Sequence, residues 1–430
     1  MDEHPDQDCG CSEYNQLSRR EFLSASAGAA AAVHFPDWLP RVVLAESYSG
    51  SRDVLVSVFL RGGADGLTLC VPFGDDGYYA ARTTIAIPHP DSGAANRATP
   101  LDDFFGFPQA MLGLLPAYLD GQLLIAHAAG QFNTSRSHFD AMRHMEVGKP
   151  ADPNLVTGWL GRHLASVPPV RTDAPLRALG LAQGLQKTLV GAPKTLPISN
   201  PANFAIGGSA STQTARLAYL QQNYALEQEP VLHAAALDAT NTIELLRTIN
   251  FTGYAPSNGA LYPNTAFGRS LKSVATMIKA DIGIEAAQVD IGGWDTHASQ
   301  DPLAGSMFNT MTNFSNSLGA FHADVIAMGY SCTVVVVSEF GRNVRQNGSA
   351  GTDHGRATVA MAMGQNIAGG RVLTVSWPGL AQGQLESGRD LRVTMDYRHV
   401  LAEIIQNRLQ NTNLGFIFPD FTPVELGVTI

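Results

Sequence analysis

Short, mostly apolar stretches recur along the chain, and each is followed by glycine and polar residues. Five of them cover residues 54–60, 123–128, 284–291, 333–337 and 358–364. A strand that is buried on both faces of a parallel sheet is hydrophobic at almost every position, so these stretches predict a mainly parallel sheet. Because parallel strands end at one edge of the sheet, the polar residues after them are expected to meet there.

Helical patterns occupy the segments between these strands. Apolar residues step by four and three from Met307 to Val325, and residues 399–409 are typical of an amphipathic closing helix. The chain is therefore predicted to be an α/β protein. Residues 183–262 are polar and rich in Gln and Asn. They predict a helical cap inserted over the sheet edge, and a plain helical layer on one sheet face fits the same pattern.

The first 45 residues have the pattern of an export signal. Residues 18–23, S-R-R-E-F-L, precede a short alanine-rich apolar run at 25–33 and small residues at 43–45. This arrangement closely resembles a twin-arginine signal. The apolar run is too short for a comfortable membrane span, so no stable membrane anchor is expected. We predict a signal at 1–45, a mature domain at 46–430, the twin-arginine translocase as a partner, and a periplasmic or secreted location.

Composition excludes some classes of protein. The chain is 45% hydrophobic and only 15% charged, and its formal net charge is -10. Without a cluster of Lys and Arg, a nucleic-acid partner is not expected. Two of the four cysteines, Cys70 and Cys332, lie in strand-like stretches of the predicted mature domain. They are expected to be buried free thiols, and a disulfide is the alternative that export would permit.

Acidic residues and histidines follow several of the predicted strands. Carboxylates and imidazoles held among glycines suit a divalent metal or an anionic substrate, although turn geometry alone can also explain such loops. Asp295 and His297 are two residues apart, so in an extended segment their side chains point to the same side. The candidate metal ligands are Asp65, Asp295, His297, Glu339, Asp353 and His354.

Hydroxyl groups are concentrated where the second strand meets a helix. Thr134, Ser135 and Ser137 lie there, and the positive end of a helix dipole stabilises an alkoxide or a bound anion. These residue types are also ordinary helix N-caps. Capping does not explain Arg136 and His138 beside them, so the segment is a candidate nucleophile or anion site.

Six motifs together resemble one known family. Besides the twin-arginine start they are F-L-R-G-G-A-D-G, S-R-S-H-F-D-A, G-G-W-D-T-H, S-E-F-G-R and G-T-D-H-G. Their order and spacing resemble the exported bacterial family called domain of unknown function 1501, which is assigned to the alkaline-phosphatase and sulfatase superfamily. The resemblance implies a doubly wound α/β sandwich, divalent metals at the strand ends, and a hydroxyl or modified cysteine that attacks a phosphate or sulfate ester.

The resemblance also implies a role for individual residues. Asp295, His297 and His354 correspond to the ligands of one metal. Asp65 corresponds to the metal carboxylate after the first strand and Glu339 to a carboxylate on the other metal, while Thr134 or Ser135 corresponds to the nucleophile. The sequence departs from the superfamily pattern where Glu339-Phe340 replaces the usual Asp-His, in the short spacing between Asp295 and His297, and in lacking Cys-x-Pro-x-Arg.

These observations predict an exported metal-dependent hydrolase of small anionic phosphate or sulfate esters. Arg136 or Arg342 would hold the anion, and the metal is expected to be zinc before calcium or magnesium. The alternative is an exported binding or scaffold protein with a degenerate site. A serine hydrolase that uses Ser135 and His354 is a third hypothesis, and the absence of a suitable G-x-S-x-G elbow disfavours it.

Overall fold

The computed structural model describes residues 52–430, so the predicted export signal lies outside the described residues. The described chain forms a mixed α/β structure around a nine-stranded sheet, with a separate two-stranded ribbon. The strands are β1 Val54–Leu60, β2 Thr99–Pro100, β3 Gly106–Phe107, β4 Leu123–Gly130, β5 Ala178–Gly180, β6 Thr195–Pro197, β7 Ala286–Ile291, β8 Cys332–Ser338, β9 Thr358–Gly364, β10 Arg371–Leu373 and β11 Met395–Asp396.

The large sheet is mainly parallel, as its apolar strands predict. Its order is β10-β4-β9-β8-β1-β7-β5-β6, and β11 pairs with β4. Among the described strands of this sheet, only β9 is antiparallel to its neighbours, β4 and β8. The three middle strands β7, β1 and β8 are parallel. Their carboxyl ends therefore share one edge of the sheet.

Helices cover both faces of the sheet, and this confirms the doubly wound α/β prediction. They are α1 Gly66–Leu69, α2 Asp76–Ala81, α3 Leu115–Leu119, α4 His138–Val147, α5 Trp159–Ala165, α6 Gln213–Tyr224, α7 Pro230–Arg247, α8 Ala266–Lys279, α9 Ser306–Phe321, α10 Tyr397–Asn407 and α11 Leu414–Ile417. A π-helical turn, His322–Ile326, continues α9. Short 3-10 turns occur at Pro90–Ser92, Gln109–Leu114, Lys187–Leu189, Pro201–Asn203, Ala210–Thr212 and Ser257–Gly259.

Alternate residues of the central strands enter two different hydrophobic cores. In β8, Val334 and Val336 pack with α8 and α9, whereas Val335 and Val337 pack with α4, α5 and α10. Each valine is almost fully buried. Full burial on both faces is why the strand is a continuous run of valine, and it holds the loop after Ser338 at a rigid edge.

The segment predicted as a cap contains both helix and strand. Helices α6 and α7 lie in it, and β6 adds a strand at the end of the sheet beside β5. Its role as a cap stays a prediction.

Both cysteines of the described chain, Cys70 and Cys332, are buried free thiols, as expected. Burial raises the pKa of each thiol well above its ordinary value. None of the described helices has the length and apolar character needed to cross a membrane.

Candidate metal centre

Polar side chains gather at the carboxyl edge of β7, β1 and β8. Asp295 follows β7, Gly62 follows β1, and Glu339 follows β8 directly. The backbone N–H of Gly62 donates to Glu339 Oε1 at 2.8 Å, which links two of these strand ends. The sequence predicts a functional site at this edge, and His138, Asp295 and His354 converge there.

His138 is the first residue of α4, and its imidazole is buried. Its Nδ1 lies 2.8 Å from Glu339 Oε1. Its Nε2 lies 3.5 Å from Asp295 Oδ2, which is too long for a normal hydrogen bond, and this buried nitrogen has no other partner among the described residues. Burial opposes protonation, but the neighbouring carboxylates of Asp295 and Glu339 raise the pKa of His138 to about 9.

The carboxylate of Asp295 is the centre of the cluster. Its Oδ1 accepts a hydrogen bond from Arg342 and lies 3.0 Å from His297 Nε2 and 3.1 Å from His354 Nε2. Burial would raise the pKa of Asp295, but the neighbouring imidazoles of His138 and His354 and the charge of Arg342 hold it well below its usual range. Asp295 is therefore an ionised carboxylate in the ordinary pH range.

Two imidazoles are oriented through their Nδ1 atoms. His354 Nδ1 is 2.8 Å from the backbone carbonyl oxygen of Arg136, and His297 Nδ1 is 2.8 Å from Asp353 Oδ1. Because a carbonyl or carboxylate oxygen only accepts, these Nδ1 atoms carry the hydrogen, and in a neutral ring Nε2 carries a lone pair. The two Nε2 atoms are 3.0 Å apart, so the lone pairs need a proton or a metal cation between them.

The cluster fits a divalent cation. Nitrogen atoms of His138 and His354 and a carboxylate oxygen of Asp295 all lie within 4.8 Å of one another, and His297 adjoins them. Imidazole nitrogen and carboxylate oxygen are common metal ligands, and metal-bound histidines usually donate their other N–H to a carboxylate or carbonyl. The described histidines have that outer arrangement. The donor set is thus a candidate metal centre.

A buried carboxylate outside the cluster fixes the backbone of His354. Arg136 and Asn343 donate to the His354 carbonyl oxygen at 3.1 and 2.8 Å. Both side chains also bind the fully buried carboxylate of Asp390. The guanidinium of Arg136 is therefore already paired, and its predicted contact with a substrate anion stays a prediction.

Arg342 is buried behind Asp295. Its side chain has no exposed surface, and its three nitrogens donate to backbone carbonyls and to Asp295. The buried guanidinium, bonded on all three nitrogens, positions Asp295, and its predicted role as the anion clamp stays a prediction.

The structure brings some predicted metal ligands together and separates others. His297 and His354 contact Asp295. Glu339 and Asp353 instead accept from Nδ1 of His138 and His297, respectively. Asp65 is fully buried and paired with Arg82. The sequence did not identify Arg82, because it lies 17 residues from Asp65 and belongs to none of the motifs.

The predicted nucleophiles lie near the cluster in sequence without a hydrogen bond to it in the described chain. Thr134 is exposed, and Ser135 Oγ lies 3.4 Å from Asp140 Oδ2. Ser137 occupies the N-cap position of α4 but its side chain makes no capping hydrogen bond. The assignment of Thr134 or Ser135 as the nucleophile stays a prediction.

A model of the family described as "Protein of unknown function (DUF1501)" matches residues 124–412. Comparison with curated proteins yields no match. Among solved structures, a protein of the alkaline phosphatase superfamily from Vibrio parahaemolyticus is 11% identical, with 82% of this chain and 70% of that chain covered and a TM-score of 0.32. The alkaline phosphatase from the Antarctic bacterium TAB5 is 10% identical, with 74% and 93% covered and a TM-score of 0.28.

Proposed function

We propose that this chain, which belongs to the DUF1501 family, is an exported metal-dependent hydrolase of phosphate or sulfate esters. The observation that carries the proposal is the convergence of three imidazole Nε2 atoms on the carboxylate of Asp295, with each imidazole held through Nδ1. Such oriented imidazoles are typical of metal centres at which anionic substrates react.

The residues that would hold the metal are His138, Asp295 and His354, with His297 beside them. Nitrogen-rich donors with one carboxylate favour zinc over calcium or magnesium, which prefer oxygen ligands. When bound, the metal would supply positive charge that polarises the ester and favours ionisation of an attacking hydroxyl. The side chain of His297 is 46% exposed, and its Nδ1 is paired with Asp353. The other ring nitrogen, Nε2, is therefore placed to hold or pass a proton.

Thr134 and Ser135 remain the candidate nucleophiles. Alanine at the reacting residue should lower kcat by roughly 10³-fold or more if a covalent intermediate forms. If both single variants keep full activity, neither hydroxyl is the nucleophile.

The proposal includes export by the twin-arginine translocase. Replacing Arg19 and Arg20 by lysine should keep the precursor in the cytoplasm, because the translocase reads the guanidinium pair and not charge alone. Cell fractionation and immunoblotting of the double variant measure this. Efficient export of Arg19→Lys with Arg20→Lys would rule out the pathway.

A binding or scaffold protein without catalysis is the second candidate. The observation that favours it is that Asp65 and Arg342, both predicted to act at the site, are committed to internal hydrogen bonds. A protein of this kind would keep the metal and not hydrolyse an ester.

A substrate panel separates the two candidates. Zinc-reconstituted mature protein is assayed against aryl phosphate monoesters, aryl phosphate diesters and aryl sulfates, with a chelated sample and His354→Ala in parallel. His233→Ala, which changes a histidine of α7, is the matched control. We expect hydrolysis of at least one ester, with a loss of roughly 100-fold or more in His354→Ala only. Bound metal without hydrolysis of any ester would favour the binding protein.

A further inference from the structure

Asp65 lies in the loop after β1, where the family resemblance implies a metal carboxylate, yet internal donors surround it. Arg82 binds both carboxylate oxygens, with Nη1–Oδ2 at 2.5 Å and Nη2–Oδ1 at 2.8 Å. Thr68 Oγ1 and Gln300 Nε2 donate to Oδ2 at 2.6 and 2.7 Å. Asp65 and Arg82 are both without exposed surface. The carboxylate therefore already has a fixed counter-cation.

The guanidinium of Arg82 is equally committed. Besides Asp65 and Thr68, it donates through Nε to Val344 O at 3.0 Å and through Nη2 to Asn343 O at 3.2 Å. These contacts use all five N–H groups of the side chain. A metal ion bound to Asp65 would displace Arg82 and leave its buried guanidinium without a counter-charge, which is strongly unfavourable.

Glu339, the carboxylate that the resemblance implies for a second metal, is fully buried and already has internal partners. Gly62 N and His138 Nδ1 lie 2.8 Å from Oε1, and Ser338 Oγ lies 3.1 Å from Oε2. The next residue is Phe340, whose ring packs 4.9 Å from that of His138. It offers no ligand atom at the position where the superfamily usually has a histidine.

We infer that this protein holds one divalent ion and not two, and that Arg82 permanently takes the place of the second cation by neutralising Asp65. The residues fit the ion at the cluster of His138, Asp295 and His354, and they do not fit another at Asp65 and Glu339. The inference rests on the proposed function only in that it takes the cluster to bind a metal.

Matched substitutions of two aspartates test the inference. Chelator-stripped full-length mature protein is titrated with zinc, and bound metal per chain is measured by elemental analysis and native mass spectrometry. Wild type is expected to bind one ion. Asp65→Asn should keep that ion at unchanged affinity, whereas Asp295→Asn, the same chemical change in the cluster, should weaken binding by roughly 100-fold or more.

Each outcome has a distinct meaning. Two ions in the wild type, or a lower ion count in folded Asp65→Asn, would overturn the inference. The wild-type count decides the matter even if Asp65→Asn does not fold. One ion without ester hydrolysis would contradict the proposed function and leave the single-ion inference standing. No bound ion in the wild type would contradict both.

Discussion

Hydrogen-bond direction at single atoms determines what the candidate centre can bind. The Arg136 carbonyl can only accept, so it fixes the hydrogen of His354 on Nδ1 and turns Nε2 towards Asp295. Glu339 does the same for His138. The carboxylates and carbonyl behind the histidines therefore matter for metal affinity although they are not ligands.

Helix capping gives a test at the residue scale. Ser137 occupies an N-cap without a capping hydrogen bond, whereas Thr265 Oγ1 accepts from Gly268 N at 3.0 Å at the start of α8. Ser137→Ala should therefore change the free energy of unfolding by less than about 0.5 kcal/mol, and Thr265→Ala should lower it by about 1 kcal/mol. Urea unfolding of both variants measures the difference. An equal loss would show that the Ser137 hydroxyl caps α4 in solution.

Residue identity was easier to predict from the sequence than residue role. Asp295, His297 and His354 lie in loops that follow predicted strands, and the structure brings them together. Glu339 and His138 were assigned from motif positions. The contacts show that Glu339 binds Nδ1 of His138 and that Nε2 of His138 has no hydrogen-bond partner among the described residues. Spacing along the chain does not determine which way a side chain points, so these roles could not be predicted.

At the scale of elements, apolar runs predicted the central strands and left the direction of β9 open. A strand buried on both faces is a continuous apolar run in either direction, and β9 runs antiparallel to β4 and β8. The same apolar character on both faces explains why the sequence predicts helices on both sides of the sheet. Arg82 and Asp390 lie far along the chain from their partners, and no periodic pattern marks such contacts.

The loop between β8 and β9 offers two glycines for comparison. A Cβ on Gly355 would lie 2.3 to 2.7 Å from the backbone of Arg342 and Asn343, whereas a Cβ on Gly348 meets nothing within 4 Å. Gly355→Ala must displace the segment that carries His354, so it should destabilise the protein by roughly 1–3 kcal/mol and weaken zinc binding. Gly348→Ala should leave the stability and the zinc affinity unchanged within error. Urea unfolding and zinc titration compare the variants, and equal behaviour would contradict the close packing of this loop.

At the scale of the whole molecule, buried neutral histidines make stability depend on pH. Burial lowers the pKa of His127 to about 4, and burial with the nearby charges of Arg52 and Arg177 lowers that of His163 to about 3. Both values lie below the unfolded value of about 6.5. The unfolded chain therefore binds more protons below pH 6.5, and stability is present above that pH and lost as pH falls towards 4.

Each of these histidines should cost roughly 2 kcal/mol of unfolding free energy between pH 7 and pH 5. His127→Gln should reduce the acid loss by about that amount, because it removes one group that takes up a proton on unfolding. The measurement is urea unfolding at both pH values in the presence of chelator, with His233→Gln as the control. An acid loss in His127→Gln equal to that of wild type would show that His127 does not titrate in this way.

The most direct test of the metal centre is anomalous X-ray scattering at the zinc edge from crystals of the zinc-reconstituted protein. We expect one strong anomalous peak per chain, at roughly 2.0–2.2 Å from Nε2 of His138 and His354 and from a carboxylate oxygen of Asp295. A peak between Asp65 and Glu339, or no peak at the cluster, would contradict it.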